Sequence, residues 1–255
     1  MTPAERFSLK DRYALVIGGT SGIGKAIATG FLQAGARVIV AGKNEEKLAR
    51  AVGELKAHGD AFGYAADMRD DAAIRGLIGQ VLAHHGHLDI LVNCQGMTTL
   101  KPALEFTAAD WDEVVATNLR SVFFACQEVG RHMVGRGKGC ILNIGSLSSY
   151  RGWPRSALYG LAKTAVVSLT ETLAAEWAPS GVRVNALAPG FVMTDLNRDK
   201  MAPERKALAL ARTPMGRFGE VEELVGAAIY LCSDAARFVT GETIRVDGGF
   251  LATGL

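Results

Sequence analysis

From residue 13 to about residue 190 the chain alternates short β-branched runs with longer helical patterns, and this alternation restricts the possible folds more than any other feature. Tyr13–Ile17 (YALVI) predicts a buried strand, Gly22–Ala34 a helix and Arg37–Ala41 (RVIVA) the next strand. A helix opens at Asn44 with Glu45 and Glu46 in its first turn, where asparagine caps and acids are favoured. Ala61–Ala66 predicts a weaker strand, Asp70–His85 a helix and Leu88–Asn93 a strand. Ala109–Met133 predicts one long helix, Cys140–Ile144 a strand, Ser156–Trp177 a helix and Val182–Leu187 a strand. Two more helical patterns, about Asp195–Ala211 and Gly219–Cys232, precede a last strand at Glu242–Val246. Strands without polar alternation are covered by helices on both faces, and repeated strand–helix alternation gives a parallel sheet with right-handed crossovers. The expectation is one α/β domain over residues 1–255, a doubly wound sheet of about seven parallel strands.

Composition excludes several function classes. Hydrophobic residues are 49% and charged residues 21%, enough for a core and too apolar for disorder. The 28 Lys+Arg nearly balance the 26 Asp+Glu, and no basic block interleaves with aromatics, so no nucleic-acid partner is expected. Cys94, Cys126, Cys140 and Cys232 lack C-x-x-C or zinc spacing; free thiols and no metal follow. No apolar run approaches the ~18 residues that cross a bilayer, and MTPAERFSLKDR has no signal-peptide core. The expected setting is cytoplasmic, without a membrane partner.

The first strand runs directly into GGTSGIG and then a helix. Such a junction presents free backbone N–H groups and the positive end of a helix dipole to an anion. In this G-x-x-x-G-x-G spacing, Gly18 allows the sharp turn, Gly22 lets a pyrophosphate approach, and Gly24 brings helix close to strand. Glycine loops alone are common, but in this context the loop predicts phosphate binding by a Rossmann-like domain. An acid at the end of the second strand would bind the adenosine ribose and repel a 2′-phosphate. Gly42 and Lys43 stand there instead, which favours NADP over NAD. The alternative is a solvated Lys43, although a cation ahead of a helix is mildly disfavoured. Asp67 either accepts from the adenine amino group or caps the helix at Asp70.

Tyr159 and Lys163 (YGLAK) lie four apart on an expected helix and share a face. A free tyrosine has a pKa of ~10, and bringing it near 7 takes about 4 kcal/mol. One ammonium at ~4 Å, at an effective dielectric of ~20, supplies about that much. The pair therefore suffices for a general acid–base tyrosine, although it also fits a plain, partly exposed surface pair. Ser146 follows a strand at the carboxyl end of the sheet, where open α/β folds bind ligands, and its hydroxyl suits a carbonyl oxygen gathering charge. Asn118, inside VVATNLRSVFF, is either a satisfied kink with a water or part of a proton relay.

Over about residues 8–250 the chain resembles the short-chain dehydrogenase/reductase superfamily. GGTSGIG looks like that family's T-G-x-x-x-G-x-G loop, with Ile17 where Thr is usual. VNCQG (Val92–Gly96) is similar to its N-N-A-G segment, with Cys94 and Gln95 in place of Asn and Ala. That departure touches the second Asn's usual sheet hydrogen bonds and brings Gln95 near the cofactor. TNL carries the catalytic-helix Asn at Asn118, and Ser146 precedes Tyr159 at the family's spacing. NALAPG (Asn185–Gly190) with Thr194 resembles the nicotinamide loop, and VDGG (Val246–Gly249) the end of the last strand.

The resemblance implies a tetrad in which Tyr159 moves the proton on the substrate oxygen and Lys163 lowers the tyrosine pKa while binding the nicotinamide ribose. Ser146 would polarise the carbonyl, and Asn118 would place a water that relays protons through Lys163. It also implies cofactor contacts from Gly18, Thr20, Ser21, Gly22, Ile23 and Gly24 around the phosphates, with Lys43, Asp67 and Met68 at the adenosine end. Asn93, Gly96, Pro189, Gly190, Val192 and Thr194 complete the set, together with Tyr159 and Lys163, and Met193 lies near the nicotinamide. A homotetramer through the helices starting near Ala109 and Ser156 is implied. Ala157, Leu161, Ala162, Ala165 and Val166 suit such packing, as they suit a buried helix.

The expected substrate pocket draws on Gln95–Leu100, Leu147–Trp153 and a lid over about 190–215, with Gln95, Ser148, Arg151 and Trp153 as candidate contacts. Arg151 or Arg155 would pair with an anionic substrate or stay solvated; Trp153 would stack on a substrate or cover a neighbouring subunit. The leading expectation is an NADP(H)- or NAD(H)-dependent oxidoreductase of a secondary alcohol or ketone on a polyol, sugar or sugar acid. The alternatives are a 3-oxoacyl-thioester (acyl-carrier) reductase, which shares these motifs, and a noncatalytic dinucleotide sensor, which usually loses the Tyr or Lys kept here.

Overall fold

A computed structural model describes residues 1–194 and 201–253. Parallel strands need crossover connections long enough for a helix, and the element order follows from that need. The first half comprises α1 Pro3–Arg6, β1 Tyr13–Ile17, α2 Gly22–Gln33, β2 Arg37–Gly42, α3 Glu45–Leu55, β3 Ala61–Ala65, α4 Asp71–His85 and β4 Ile90–Asn93. The second comprises α5 Ala108–Val115, α6 Ser121–Arg136, β5 Gly139–Ile144, α7 Ala157–Trp177, β6 Val182–Pro189, α8 Pro203–Arg212, α9 Val225–Cys232 and β7 Thr243–Val246. Among the described residues the strands form one seven-stranded parallel sheet, ordered β3-β2-β1-β4-β5-β6-β7.

Helices cover both faces, and the period of two along each strand divides the core. Ala14 and Val16 of β1 join Ile27 and Phe31 of α2 and Leu231 of α9. Leu15 and Ile17 join Ile74 and Leu77 of α4, Val122 and Val129 of α6, and Leu173 of α7. Full burial of such side chains is worth roughly 1.5–3 kcal/mol each, so a register slip that exchanged the faces would disrupt both cores. The order reverses beside β1, which pairs with β2 on one side and β4 on the other. The crevice outside the carboxyl ends of β1 and β4 is therefore where an open α/β sheet takes its ligand.

Local capping follows the sequence. Asn44 accepts the Lys47 N–H at 2.8 Å, and Asp70 accepts the Ala72 N–H at 2.8 Å. The single helix expected over Ala109–Met133 is instead α5 and α6 joined by a π turn, Ala116–Arg120. The helical pattern near Gly219–Cys232 opens as a 3₁₀ turn, Val221–Leu224, ahead of α9. β4 starts at Ile90 rather than Leu88 and β6 runs on to Pro189. Of the expected helix over about 195–211, α8 accounts for the second part; residues 195–200, including part of the expected lid, lie outside the described residues. Cys126, Cys140 and Cys232 are buried free thiols and Cys94 is half-buried. No helix among the described residues is long and apolar enough to cross a membrane.

Candidate active site

The glycine loop is shaped by close backbone approach. Gly18 has φ +78°, and a Cβ there would stand 2.8–2.9 Å from the Cys94 and Gln95 backbone at the end of β4. At Gly24 a Cβ would fall 2.3 Å from the Gly18 carbonyl oxygen, so only glycine lets α2 start this close to β1. Ser21 is the N-cap of α2 and makes no side-chain capping bond, which leaves the first-turn N–H groups of Gly22, Ile23 and Gly24 facing the crevice. A Cβ on Gly22 would enter the cleft, meeting first the Thr194 methyl at 3.5 Å. Thr20 packs on the end of β2, its methyl 2.9 Å from where a Gly42 Cβ would stand. The concave backbone, the uncapped dipole and the side-chain-free wall together fit a pyrophosphate.

At the adenosine end, Lys43 is exposed. Asp70 caps α4 by itself, so Asp67 is not needed there; it pairs with Arg69, whose Nε lies 3.0 and 3.1 Å from its two oxygens. Arg69, with a smaller contribution from Lys43, holds the Asp67 carboxyl down at about 2. Met68 is buried in the core beside α4. The Asn93 side chain turns inward, Nδ2 donating to Asn143 Oδ1 at 2.9 Å and to Cys126 Sγ at 3.2 Å. Asn143 in turn donates to Thr170 Oγ1 at 3.0 Å. This buried chain ties β4, β5 and α7 without a second Asn at position 94. Pro189 ends β6, Gly190 is pressed against the Asp247 backbone, and Val192 bridges to Gly219.

Four side chains converge at the carboxyl ends of β4 and β5. Ser146 Oγ accepts the Ser148 N–H at 3.1 Å, which fixes the turn after β5, and its hydroxyl stands near enough to the Tyr159 phenol to favour the phenolate. Lys163, one helical turn further along α7, is buried and donates from Nζ to the Ile144 carbonyl at 2.7 Å. Asn118 is fully buried in the π turn; Oδ1 accepts the Met97 N–H at 2.7 Å and Nδ2 donates to the Met97 carbonyl at 2.8 Å. A Cβ on Gly96 would stand 3.1 Å from Asn118 Oδ1 and 3.7 Å from Lys163 Nζ, so Gly96 leaves the space that these two groups share.

Burial dominates the electrostatics of Tyr159 and Lys163. Burial pushes the Tyr159 phenol above its ordinary pKa, and the nearby Ser146 hydroxyl only partly opposes it. Lys163 Nζ stands 6.0 Å from the tyrosine ring centroid and is engaged with Ile144. Burial lowers Lys163 itself to about 8. The buried ammonium is satisfied by the nearest carbonyl, that of Ile144.

The candidate substrate residues divide. Gln95 does not face the cleft; its amide nitrogen donates to Ser121 Oγ at 3.1 Å inside the fold. Trp153 is held in a ring cluster with Phe191 (5.8 Å between centroids) and Phe250 (5.5 Å). Ser148, Arg151 and Trp153 line a groove of about 370 Å³ that Tyr159 does not line. Arg155 holds a left-handed backbone, φ +67°, and its carbonyl accepts the Lys101 N–H at 3.0 Å, which joins the two loops flanking the cleft. Four partners escaped the sequence reading: Met97 for Asn118, Arg69 for Asp67, and Phe191 and Phe250 for Trp153. Only Arg69 gave a local signal, as a cation two residues from the acid.

A Rossmann sheet with a glycine loop at its switch point and a Ser–Tyr–Lys group at the neighbouring strand ends defines a nucleotide-dependent oxidoreductase. Residues 18–251 match the family described as enoyl-(acyl carrier protein) reductase. The chain is 40% identical over 251 residues to the gluconate 5-dehydrogenase of Gluconobacter oxydans (strain 621H), covering 98% of each. It is 39% identical over 249 residues to the 2-dehydro-3-deoxy-D-gluconate 5-dehydrogenase of Escherichia coli (strain K12), covering 96% of this chain and 98% of that one. A solved gluconate 5-dehydrogenase from Burkholderia cenocepacia J2315, in complex with NADP and tartrate, superposes with TM-score 0.95 at 39% identity, over 99% of this chain and all of that one. The chain belongs to the short-chain dehydrogenase/reductase family and is an NAD(P)-dependent oxidoreductase acting on CH–OH/C=O groups.

Proposed function

We propose that the protein interconverts a secondary alcohol and a ketone on a sugar, polyol or sugar acid, with NADP(H) favoured over NAD(H). The observation that carries the reading is the convergence of Ser146, Tyr159 and buried Lys163 at the carboxyl end of β5, with Lys163 Nζ 6.0 Å from the Tyr159 ring centroid. The bound nicotinamide supplies or accepts the hydride. Tyr159 holds the proton at its phenol oxygen and exchanges it with the substrate oxygen. Ser146 donates to that same oxygen and stabilises the charge that grows there. Lys163, as an ammonium, favours the phenolate when the site is loaded, and Asn118 places a water that relays protons through Lys163. Relatives named for gluconate and dehydrodeoxygluconate support a polyhydroxylated substrate. The absence of a carboxylate at Gly42 and Lys43, together with Arg69 occupying Asp67, supports NADP.

The same reading includes a homotetramer and a cytoplasmic setting. Trp111 on α5 and Leu161 on α7, both near 45% exposed, support association through these helices, and free thiols support a reducing compartment.

The test is a panel of sugars, polyols, sugar acids and 3-oxoacyl esters followed at 340 nm with each cofactor, on the native protein and on Tyr159→Phe. Turnover of a polyhydroxylated compound, lost by roughly 10³-fold or more in the variant while NADPH still binds, supports the proposal. Turnover of the acyl ester alone would replace the substrate class, and full activity in the variant would remove Tyr159 from the chemistry.

A further inference from the structure

Gln95 follows β4 and sends its side chain away from the cleft, toward the start of α6. Its Nε2 donates to Ser121 Oγ at 3.1 Å and, at 3.4 Å, to Asn93 Oδ1. Asn93 Nδ2 donates to Asn143, so both groups that Gln95 meets present oxygen acceptors and the orientation of its amide is fixed. Ser121 lies at the exit of the π turn. Its backbone N–H bonds the Ala116 carbonyl, five residues back, and its hydroxyl donates to the Thr117 carbonyl at 2.6 Å. The hydroxyl thus replaces the N–H that the wider turn has moved. A serine hydroxyl has one proton; because Ser121 Oγ accepts from Gln95, that proton is directed at Thr117. The chain Gln95–Ser121–Thr117 closes the π turn on one side of Asn118, as the two Met97 hydrogen bonds close it on the other.

This arrangement carries a cost. Gln95 Oε1 is buried and has no hydrogen-bond partner among the described residues, a penalty that an alanine would avoid. Buried unsatisfied groups are rare, and each calls for a reason.

We infer that Gln95 is a positioning residue for the reaction: through Ser121 and Thr117 it sets the π turn that presents Asn118. The inference rests on the assignment of Asn118 to the proton path made above.

The test uses the full chain and whichever substrate of the panel it turns over best, with Gln95→Ala, Gln95→Met, Ser121→Ala, the Gln95→Ala/Ser121→Ala pair and Asn118→Ala. Both Gln95 variants should lose kcat roughly five- to tenfold, the coupling expected of contacting residues. KM and NADPH affinity should hold, and the melting temperature should stay level or rise as the orphaned oxygen disappears. The double variant should be no slower than Ser121→Ala, and amides 116–121 should exchange faster in the cofactor-free Gln95→Ala protein. Unchanged kcat in both Gln95 variants, a kcat loss matched by a fall in melting temperature in both, or additive losses in the double variant would overturn it. If Asn118→Ala keeps full kcat, the Asn118 assignment falls and the inference falls with it. If Asn118→Ala is inactive while the Gln95 variants match the native enzyme, the inference alone fails.

Discussion

At the phosphate end of the cleft a single stretch, Tyr13–Gln33, supplies strand, turn and helix mouth, and nearly all of its work is done by backbone. At the reacting end, the groups come from the π turn, the turn after β5, the middle of α7 and the loop after β4, and Asn118 and Lys163 are each held by a partner from a different element. The first end is fixed by which residues lack a side chain, the second by which side chains find one another. Substitutions should therefore act differently at the two ends: through sterics at the first, through charge and hydrogen bonding at the second.

Lys163→Met makes the largest expected break at the reacting end. Turnover should fall by roughly 10²–10⁴, the range for losing a group that serves acid–base chemistry. Stability should move the other way. In the folded protein Lys163 gives up its proton near 8, and in the unfolded chain near 10.5. Below about 8 both states are protonated and the burial cost is fully present, roughly 3 kcal/mol at ~1.4 kcal/mol per pH unit. Between 8 and 10.5 the unfolded chain binds the extra proton, so native stability rises with pH across that window. Leaving the Ile144 carbonyl without its donor returns ~1–3 kcal/mol of cost, so at pH 7 the variant should be about 1 kcal/mol the more stable. Urea midpoints at pH 7 and pH 10 check this: the advantage should shrink or reverse at pH 10, and a pH-independent difference would contradict the burial argument.

At the phosphate end, Gly24→Ala should cost about 1–3 kcal/mol by overpacking and weaken cofactor binding, because its Cβ meets the Gly18 backbone and not a movable side chain. Gly53→Ala in α3 sharpens the point. No atom lies within 4 Å of a Cβ there, and the same exchange should stabilise by up to ~1 kcal/mol from helix propensity alone. Thermal melts of the two variants should shift in opposite directions.

The same division explains what could be read from the residues in order. Asn44 was legible as a cap because it and the Lys47 N–H lie three residues apart, whereas at α4 the cap is Asp70 and not the Asp67 that the sequence offered. The glycine loop was legible because its geometry is written in three nearby glycines. The π turn was not: Asn118 is held by Met97, twenty-one residues away, and a helical pattern carries no record of a partner in another loop. The ring cluster around Trp153 was not legible either, because Phe191 and Phe250 reach it only once β6 and β7 are side by side. The Tyr159–Lys163 spacing correctly indicated a shared face, but where an ammonium turns depends on the nearest buried carbonyl, here Ile144, which the spacing does not encode.

The ring cluster offers a milder probe of the reacting end. Phe250 is buried between Trp153 and Phe191, so Phe250→Leu keeps most of the volume and removes the ring contacts. A loss of about 1 kcal/mol in stability is expected, with a several-fold rise in substrate KM as Trp153 loosens, and no change in NADPH affinity. An equal change in both ligands' affinities would mean that the cluster supports the whole cleft and not its substrate side.

The smallest effect belongs to Lys43→Ala, because the side chain is exposed and its ion pairing with a phosphate is screened by water and salt. NADP affinity should drop about three- to tenfold at low ionic strength, in keeping with ~1 kcal/mol for an exposed charge pair, while NAD affinity stays put. Raising the salt to roughly 0.5 M should close most of the gap, since screening then acts within a few ångströms. Isothermal titration of both cofactors at two salt concentrations reads this directly. If NADP and NAD weaken together, Lys43 supports the turn after β2 and does not read the 2′-phosphate. If neither weakens, that reading passes to the other cation at the adenosine end, Arg69, which would then have to leave Asp67 to make the contact.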